Sequence, residues 1–230
     1  FGPLKTNANG KSFILCMTDA FTKYVELVAL PNKEANTVLN AFFDKWICRY
    51  GIPQEILSDN GTEFVNQFSK ELFTKLGAHH TKTSPYHPQT NSSAEVCNKT
   101  IAKYLTDVVD ASTLDWELYL PPLAFSYNTS LHQSIKTTPF ELTFGIAPRL
   151  PNIPAPEVQK IYGEDANAER LQKLQFSRQI ANDHLMSSQQ QMSTQFNRSA
   201  EQHNFHVGQA VWLQQVTFLG KNKKLSPRYA

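Results

Sequence analysis

The feature that most restricts the fold is an early switch in hydrophobic period. Phe13 to Met17 (FILCM) is a continuous apolar run and Tyr24 to Ala29 (YVELVA) a second β-prone stretch, with the polar Asp19-Ala20-Phe21-Thr22-Lys23 between them. This spacing predicts a hairpin whose first strand is buried on both faces. From Asn32 the period becomes helical. Ala35, Val38, Leu39, Phe42, Phe43, Trp46, Ile47 and Tyr50 fall on one stripe, with Asn32 as the expected cap and Gly51-Ile52-Pro53 as the stop. A short strand over Glu55 to Leu57 then runs into Ser58-Asp59-Asn60-Gly61. A second amphipathic helix through Phe68, Leu72, Phe73 and Leu76, closed by Gly77, and a brief strand around His79 to Thr81 follow. Strands and helices alternating in this way predict α/β layers.

Downstream the punctuation changes. Ser84 to Ser93 (SPYHPQTNSS) holds two prolines in a polar cluster and reads as a mobile loop. The helix after it has a buried stripe of Ile101, Leu105 and Val108, while Glu95, Asn98, Lys99 and Ala102 share another face. Helices are expected over Leu114 to Tyr127, bent by Pro121-Pro122, and over Thr138 to Phe144, before a proline-spaced linker from Pro148 to Pro156. From Asn167 to Phe196 the pattern is helical but polar, with Leu171, Leu174, Ala181, Leu185, Met192 and Phe196 near a seven-residue rhythm. Phe205 to Leu213 and the Lys-Lys-Leu-Ser-Pro-Arg-Tyr ending suggest the opening strands of a small β-module.

Bulk properties narrow the class. A chain of 230 residues, 40% hydrophobic and 18% charged, is long enough for one well-buried domain and a smaller appendage. Its longest apolar runs fall far short of the roughly 20 residues a membrane span needs, so no membrane partner is expected. Cys16, Cys48 and Cys97 lie too far apart for a CxxC metal site and suggest no disulfide framework; reduced thiols are the expectation. Net charge is only +2, but unevenly spread. Arg198, Lys221, Lys223, Lys224 and Arg228 against Glu201 give the last stretch +4, leaving −2 for the rest. Electrostatic attraction to DNA should be strongest at this tail.

Two carboxylates carry the candidate chemistry. Asp59 is expected at the C-terminal end of a strand and Glu95 on a helix packed beside it, with 35 residues between them. Acids so placed can converge on divalent ions, which prefer carboxylate oxygens, and a pair of ions about 4 Å apart can activate an attacking oxygen and stabilise a leaving one in phosphodiester chemistry. Plainer readings stand beside this one. Asp in an Asp-Asn-Gly sequence is ordinary turn chemistry, and Glu95 with Lys99 fits an i,i+4 ion pair worth about 0.2–0.5 kcal/mol.

The residues around the acids favour the catalytic reading. Ser58-Asp59-Asn60-Gly61-Thr62-Glu63-Phe64, then Ser84-Pro85-Tyr86-His87-Pro88-Gln89-Thr90, then Glu95 and Asn98, resembles the second half of the D,D-35-E signature of retroviral and LTR-retrotransposon integrases. Tyr127-Asn128-Thr129, His132-Gln133-Ser134, Thr138-Pro139-Phe140-Glu141-Leu142, Phe144-Gly145 and Pro148 are similar to the downstream core of the gypsy class, the metaviruses. Phe205-His206-Val207-Gly208, Val211-Trp212-Leu213 and Lys224-Leu225-Ser226-Pro227-Arg228-Tyr229 look like the start of that class's C-terminal module.

The resemblance implies an α/β, RNase H-like core with a mixed five-stranded sheet flanked by helices over residues 1–150. A linker and helix over 151–200 and the start of an SH3-like DNA-binding module over 201–230 would follow. It implies a polynucleotidyl transferase in which Asp59 and Glu95 are the second and third metal-binding acids, using two magnesium or manganese ions. That enzyme would trim the 3′ ends of element cDNA and join them to target DNA, as a homo-oligomer, in the nucleus after a cytoplasmic particle stage. Tyr86 and Gln89 would touch DNA from the active-site loop, Asn98 and Lys99 would reach phosphates, and Lys221, Lys223, Lys224 and Arg228 would bind DNA from the tail.

In the family the first acid precedes a Gly-Pro-Leu. Here Gly2-Pro3-Leu4 places the match ahead of Phe1, so the chain by itself is expected to be catalytically impaired. Asp19, with 39 residues before Asp59, is a tempting substitute, but Asp19 to Lys23 matches a hairpin turn and is given a structural or supporting role. Ser92 and Val96 stand where many relatives carry Gly and Arg. The family's zinc module would lie upstream, and no zinc is expected here: His79 and His80 make no His-His-Cys-Cys set with the cysteines present. A host-adopted relative that only binds DNA or protein, and a stand-alone RNase H-type nuclease, are the rival readings. Intact Asp59 and Glu95 speak against the first, and the Tyr-His-Pro-Gln loop and basic tail against the second.

Overall fold

The computed structural model describes residues 1–58, 73–82, 92–108, 115–151, 164–198, 206 and 208–210. Within them the chain is mixed α/β and divides into two units, Phe1–Ser188 and Gln189–Ala230.

The expected hairpin is present as β1 (Phe13–Thr18) and β2 (Val25–Leu30), antiparallel in a register that runs from Phe13 opposite Leu30 to Thr18 opposite Val25. Its turn is held by one side chain. The Asp19 carboxylate accepts the backbone N–H of Phe21 at 3.2 Å and of Thr22 at 2.5 Å, and the Thr22 hydroxyl at 2.7 Å, while Lys23 takes the left-handed φ of 64° that closes the loop. Asp19 is therefore a turn residue. On the side of β1 away from β2, Phe1 and Ile14 exchange both backbone hydrogen bonds, and Leu4 donates to Ser12. Gly2 permits this close approach, since a Cβ there would lie 2.8 Å from the Ser12 carbonyl at a φ of 136°.

The long stripe from Ala35 to Tyr50 forms a helix with a defect. It begins as α1 (Ala35–Phe42), passes through a π-helical turn over Phe43–Ile47, and ends as Cys48–Tyr50 at Gly51, whose φ is 88°. The wider turn shifts the register of the stripe. Val38 and Leu39 stay buried, whereas Phe43, expected to face inward, is 47% exposed. Asn32 does not cap the helix: its side chain accepts from Glu34 in a turn just ahead of it.

β3 (Glu55–Ser58) and β4 (His79–Lys82) pair in parallel, Ser58 opposite Lys82. Between them residues 73–76 are helical and end, as expected, at Gly77, with φ 70°. Among the described residues the strands form these two separate pairs rather than one five-stranded sheet.

α2 (Ser92–Val108) lays Cys97, Ile101 and Leu105 into a core with Ile14, Val25 and Ala29 of the hairpin. Trp116, Leu120 and Leu123 complete that core from a 3₁₀ turn (Trp116–Tyr119) and α3 (Leu120–Thr129). Pro121 and Pro122 do not bend this helix. They sit in its first turn, where the missing N–H groups have no helical partner to lose. The Asn128 side chain, at the far end of α3, bonds both backbone atoms of Val25.

α4 (Pro139–Phe144) follows its sequence closely: the Thr138 hydroxyl accepts the Glu141 N–H at 3.1 Å, and Gly145 ends the helix at φ 69°. α5 (Glu164–Arg198) supplies what α4 lacks. Arg178 donates to the Leu142 carbonyl at 3.2 and 3.1 Å and Arg170 to that of Phe144 at 2.8 Å, so two guanidinium groups satisfy carbonyls a short helix leaves open. Ala181 and Leu185 join Ile135 and Leu142 in a second core, whereas Leu171 and Met192, from the same seven-residue pattern, are exposed.

In the second unit, His206 and Gln209 bond each other across a turn with Gly208 at φ 93°. The rest of the expected module over 201–230 lies outside the described residues, as do Phe68 and Leu72.

Candidate functional site

Seven of the expected site residues fall outside the described residues: Asp59, Tyr86, Gln89, Lys221, Lys223, Lys224 and Arg228. So does the Glu95 side chain, although its backbone belongs to α2. The elements that flank these positions are described.

β3 ends at Ser58, the residue before Asp59, and this end is pinned to its neighbour. The Ser58 hydroxyl lies 2.8 Å from His80 Nε2, across two strands in parallel register. Ser58 is buried, and the His80 ring rests edge-on against Phe73 at 5.0 Å between centroids. Ile56, not Ser58, is opposite His80, so the contact is diagonal between residues on one face. In the sequence His80 is no more than a residue of an expected short strand, set aside as a zinc ligand. The register of β3 against β4 is the signal that reveals the pair.

On α2, Asn98 lies one helical turn beyond Glu95 and Lys99 is exposed. The Asn98 Oδ1 is buried with no hydrogen-bond partner among the described residues. A buried carbonyl oxygen left unpaired costs about 1–3 kcal/mol, so it marks a place where a donor or a cation would be favourable. Amide oxygens, like carboxylates, are hard donors of the kind that magnesium or manganese ions select, so the chemistry of the Asn98 oxygen is compatible with such an ion. Among the described residues no three His, Cys, Asp or Glu side chains converge on a common point.

Two features near α2 were not anticipated. Cys97, fully buried, lies 3.4 Å from Cys16 on β1, sulfur to sulfur. The Cys97 thiol, donating to Cys16, holds the Cys16 thiol below the ordinary cysteine range despite the opposing effect of burial. Asn7, Asn9 and Lys11 meet the Glu117 carboxylate, over more than 100 residues of sequence. The Lys11 contact first, helped by the two amides, lowers the affinity of Glu117 for a proton against the opposing effect of partial burial.

Residues 1–88 match the family model of the integrase core domain. The chain is 29% identical over 231 residues to the Pol polyprotein of Radiation murine leukemia virus (strain Kaplan), a match covering all of this chain and 38% of that protein. It is also 29% identical over 150 residues to the retrovirus-related Pol polyprotein from transposon 412 of Drosophila melanogaster, covering 65% of this chain and 12% of the relative. The chain thus spans well under half the length of the curated relatives it matches. A solved structure of the HTLV-2 integrase catalytic core domain in complex with magnesium overlays 56% of this chain and 83% of its own, with 19% identity and a TM-score of 0.48. The relationship to retroviral-type integrases of retroelements, read from the motifs, is borne out by the family match and the Pol polyproteins.

Proposed function

We propose that this chain is the catalytic core, helical linker and first part of the C-terminal module of a gypsy-class retroelement integrase, a metal-dependent polynucleotidyl transferase acting on cDNA ends and target DNA. The observation that carries the reading is the order of parts. An integrase core match covers β3 and Asp59, the next residue in sequence, and α2 follows with Glu95 and an Asn98 oxygen that has no partner among the described residues.

In this reading residues 1–150 form an RNase H-like core, 151–200 a linker with its helix, and 201–230 the start of an SH3-like module. Asp59 and Glu95 would be the second and third of the acids that hold two magnesium or manganese ions in the complete active site. Such ions, when bound, activate the attacking oxygen and stabilise the leaving one. The protein supplies rigidity: the Ser58–His80 contact fixes the strand end that precedes Asp59, and the packing of Cys97, Ile101 and Leu105 fixes the helix that carries Glu95. Tyr86, Gln89, Asn98 and Lys99 contact DNA near the acids, and Lys221, Lys223, Lys224 and Arg228 contact phosphates from the tail. The protein works as a homo-oligomer on paired ends, in the nucleus, after a stage in a cytoplasmic particle.

The deciding experiment is strand transfer of pre-trimmed DNA ends with manganese, using the integrase that carries this chain and its Asp59→Asn and Glu95→Gln variants. Both substitutions should abolish product while leaving folding and DNA affinity intact. Product that survives both would reject this assignment of the acids, and a parent protein that binds DNA with no metal-dependent product would point to a host-adopted, non-catalytic relative.

A further inference from the structure

Two thiols meet where the hairpin packs on α2. Cys16 on β1 and Cys97 on α2 are 81 residues apart in sequence and 3.4 Å apart at sulfur. Both are free thiols; Cys97 is buried, Cys16 is half-buried, and the third cysteine, Cys48, is exposed on another element. A disulfide brings its sulfurs to about 2.05 Å, so small side-chain rotations or a slight approach of β1 and α2 would complete the bond. The other hydrogen-bonding neighbour of Cys16 among the described residues is Thr18, at 3.8 Å, which offers only a hydroxyl.

We propose that Cys16 and Cys97 form an oxidisable dithiol, which a small hydroperoxide such as hydrogen peroxide converts to an intramolecular disulfide tying β1 to α2. The more exposed Cys16 attacks first. Its sulfur takes one oxygen of the peroxide, the O–O bond breaks, and water leaves, giving a Cys16 sulfenic acid. Cys97 sulfur then attacks the Cys16 sulfur: the S–S bond forms, the S–O bond breaks, and the departing hydroxide takes the Cys97 proton as a second water. The two thiols together lose two electrons, and the peroxide is reduced to two waters. A thiol reductant reverses the bond. The consequence is mechanical: the helix that carries Glu95 and Asn98 becomes covalently joined to the hairpin it packs on. The chemistry stands whatever reaction the chain catalyses.

The test uses the full chain carrying Cys48→Ser, treated in its folded state with graded hydrogen peroxide, then alkylated and analysed by intact mass and by peptide mapping without reductant. The expected product is a monomer lighter by a pair of hydrogens, with both thiols lost together, a reducible peptide pair joining positions 16 and 97, and a raised thermal midpoint. With Cys16→Ser added, Cys97 should stay an alkylatable thiol through the same treatment. Three results would each overturn the proposal: Cys16 passing to sulfinic acid while Cys97 remains free, crosslinks only between chains, or no oxidation of either thiol at doses that oxidise Cys48 in the parent chain.

Discussion

Asn128 replaces a neighbouring strand for one residue of the hairpin. Its Oδ1 accepts the Val25 N–H at 2.8 Å and its Nδ2 donates to the Val25 carbonyl at 2.9 Å, in a buried setting. A primary amide presents the same donor and acceptor as a peptide group, so it completes the outer edge of β2, where no strand is paired among the described residues. Asn128→Ala should cost about 3 kcal/mol, because both Val25 groups lose their partners inside the core. Denaturant titration should show a lower midpoint at unchanged slope. Asn128→Asp should destabilise as well, since it sets a carboxylate oxygen against the Val25 carbonyl. An Asn128→Ala chain as stable as the parent would mean that the bonds contribute nothing.

Asp19 gives a sharper contrast between structural and catalytic acids. The three side-chain hydrogen bonds described for it use one oxygen as acceptor, which asparagine retains. Asp19→Asn should therefore cost under about 1 kcal/mol and Asp19→Ala about 2 kcal/mol. Thermal melting with manganese should show metal stabilisation that Asp19→Asn keeps and Asp59→Asn removes. The opposite pattern would assign the metal to Asp19.

His132 should make stability depend on pH near neutrality. Burial first, and the Lys23 charge second, hold its imidazole below its ordinary value of 6.5. In the unfolded chain it gains a proton as pH falls through about 6.5, while in the fold it resists doing so. Over that window the unfolded state binds more protons, so this contribution to stability is complete above the unfolded value and is lost as pH falls below it. His132→Gln should flatten the pH dependence of unfolding between about pH 7 and 5. An unchanged profile would place the acid sensitivity elsewhere.

Binding of DNA should be governed by the tail. The stretch from Arg198 to Ala230 carries five basic residues against one acid. Removing residues 198–230 should flatten the salt dependence of log affinity by about 0.9 for every phosphate that the tail neutralises. The measurement is a salt series of fluorescence anisotropy on duplex DNA. Equal slopes for the whole and the shortened chain would put the phosphate-binding cations on the core.

Local chemistry was the legible portion of this fold. The Asp19 turn formed as read, and so did the helix expected over Thr138 to Phe144, because the Thr138 cap and the Gly145 end that bound it are also set by residues a few positions apart. The short strands expected over Glu55 to Leu57 and His79 to Thr81 were legible for the same reason, each running one residue further in the structure, to Ser58 and Lys82. What escaped depends on partners distant in sequence. Nothing near Glu141 announces that Arg178 will close the end of α4, and nothing near Cys16 announces Cys97. Pro121 and Pro122 were misjudged because a helix start and a helix bend share one local signature; the preceding 3₁₀ turn decides between them. The π turn after Phe42 defeated a periodic reading that assumes one constant angle per residue.

The edge that Asn128 covers has a consequence for synthesis. The hairpin can pair soon after Leu30 emerges from a ribosome, but its partner amide is encoded 103 residues beyond Val25. At a typical 5–20 residues per second the nascent β2 edge waits about 5–20 s for its cover. During that interval an open, apolar strand faces solvent, and other nascent copies on the same message carry the identical edge. Slowing translation between these two positions should therefore raise aggregation without altering the stability of the finished protein.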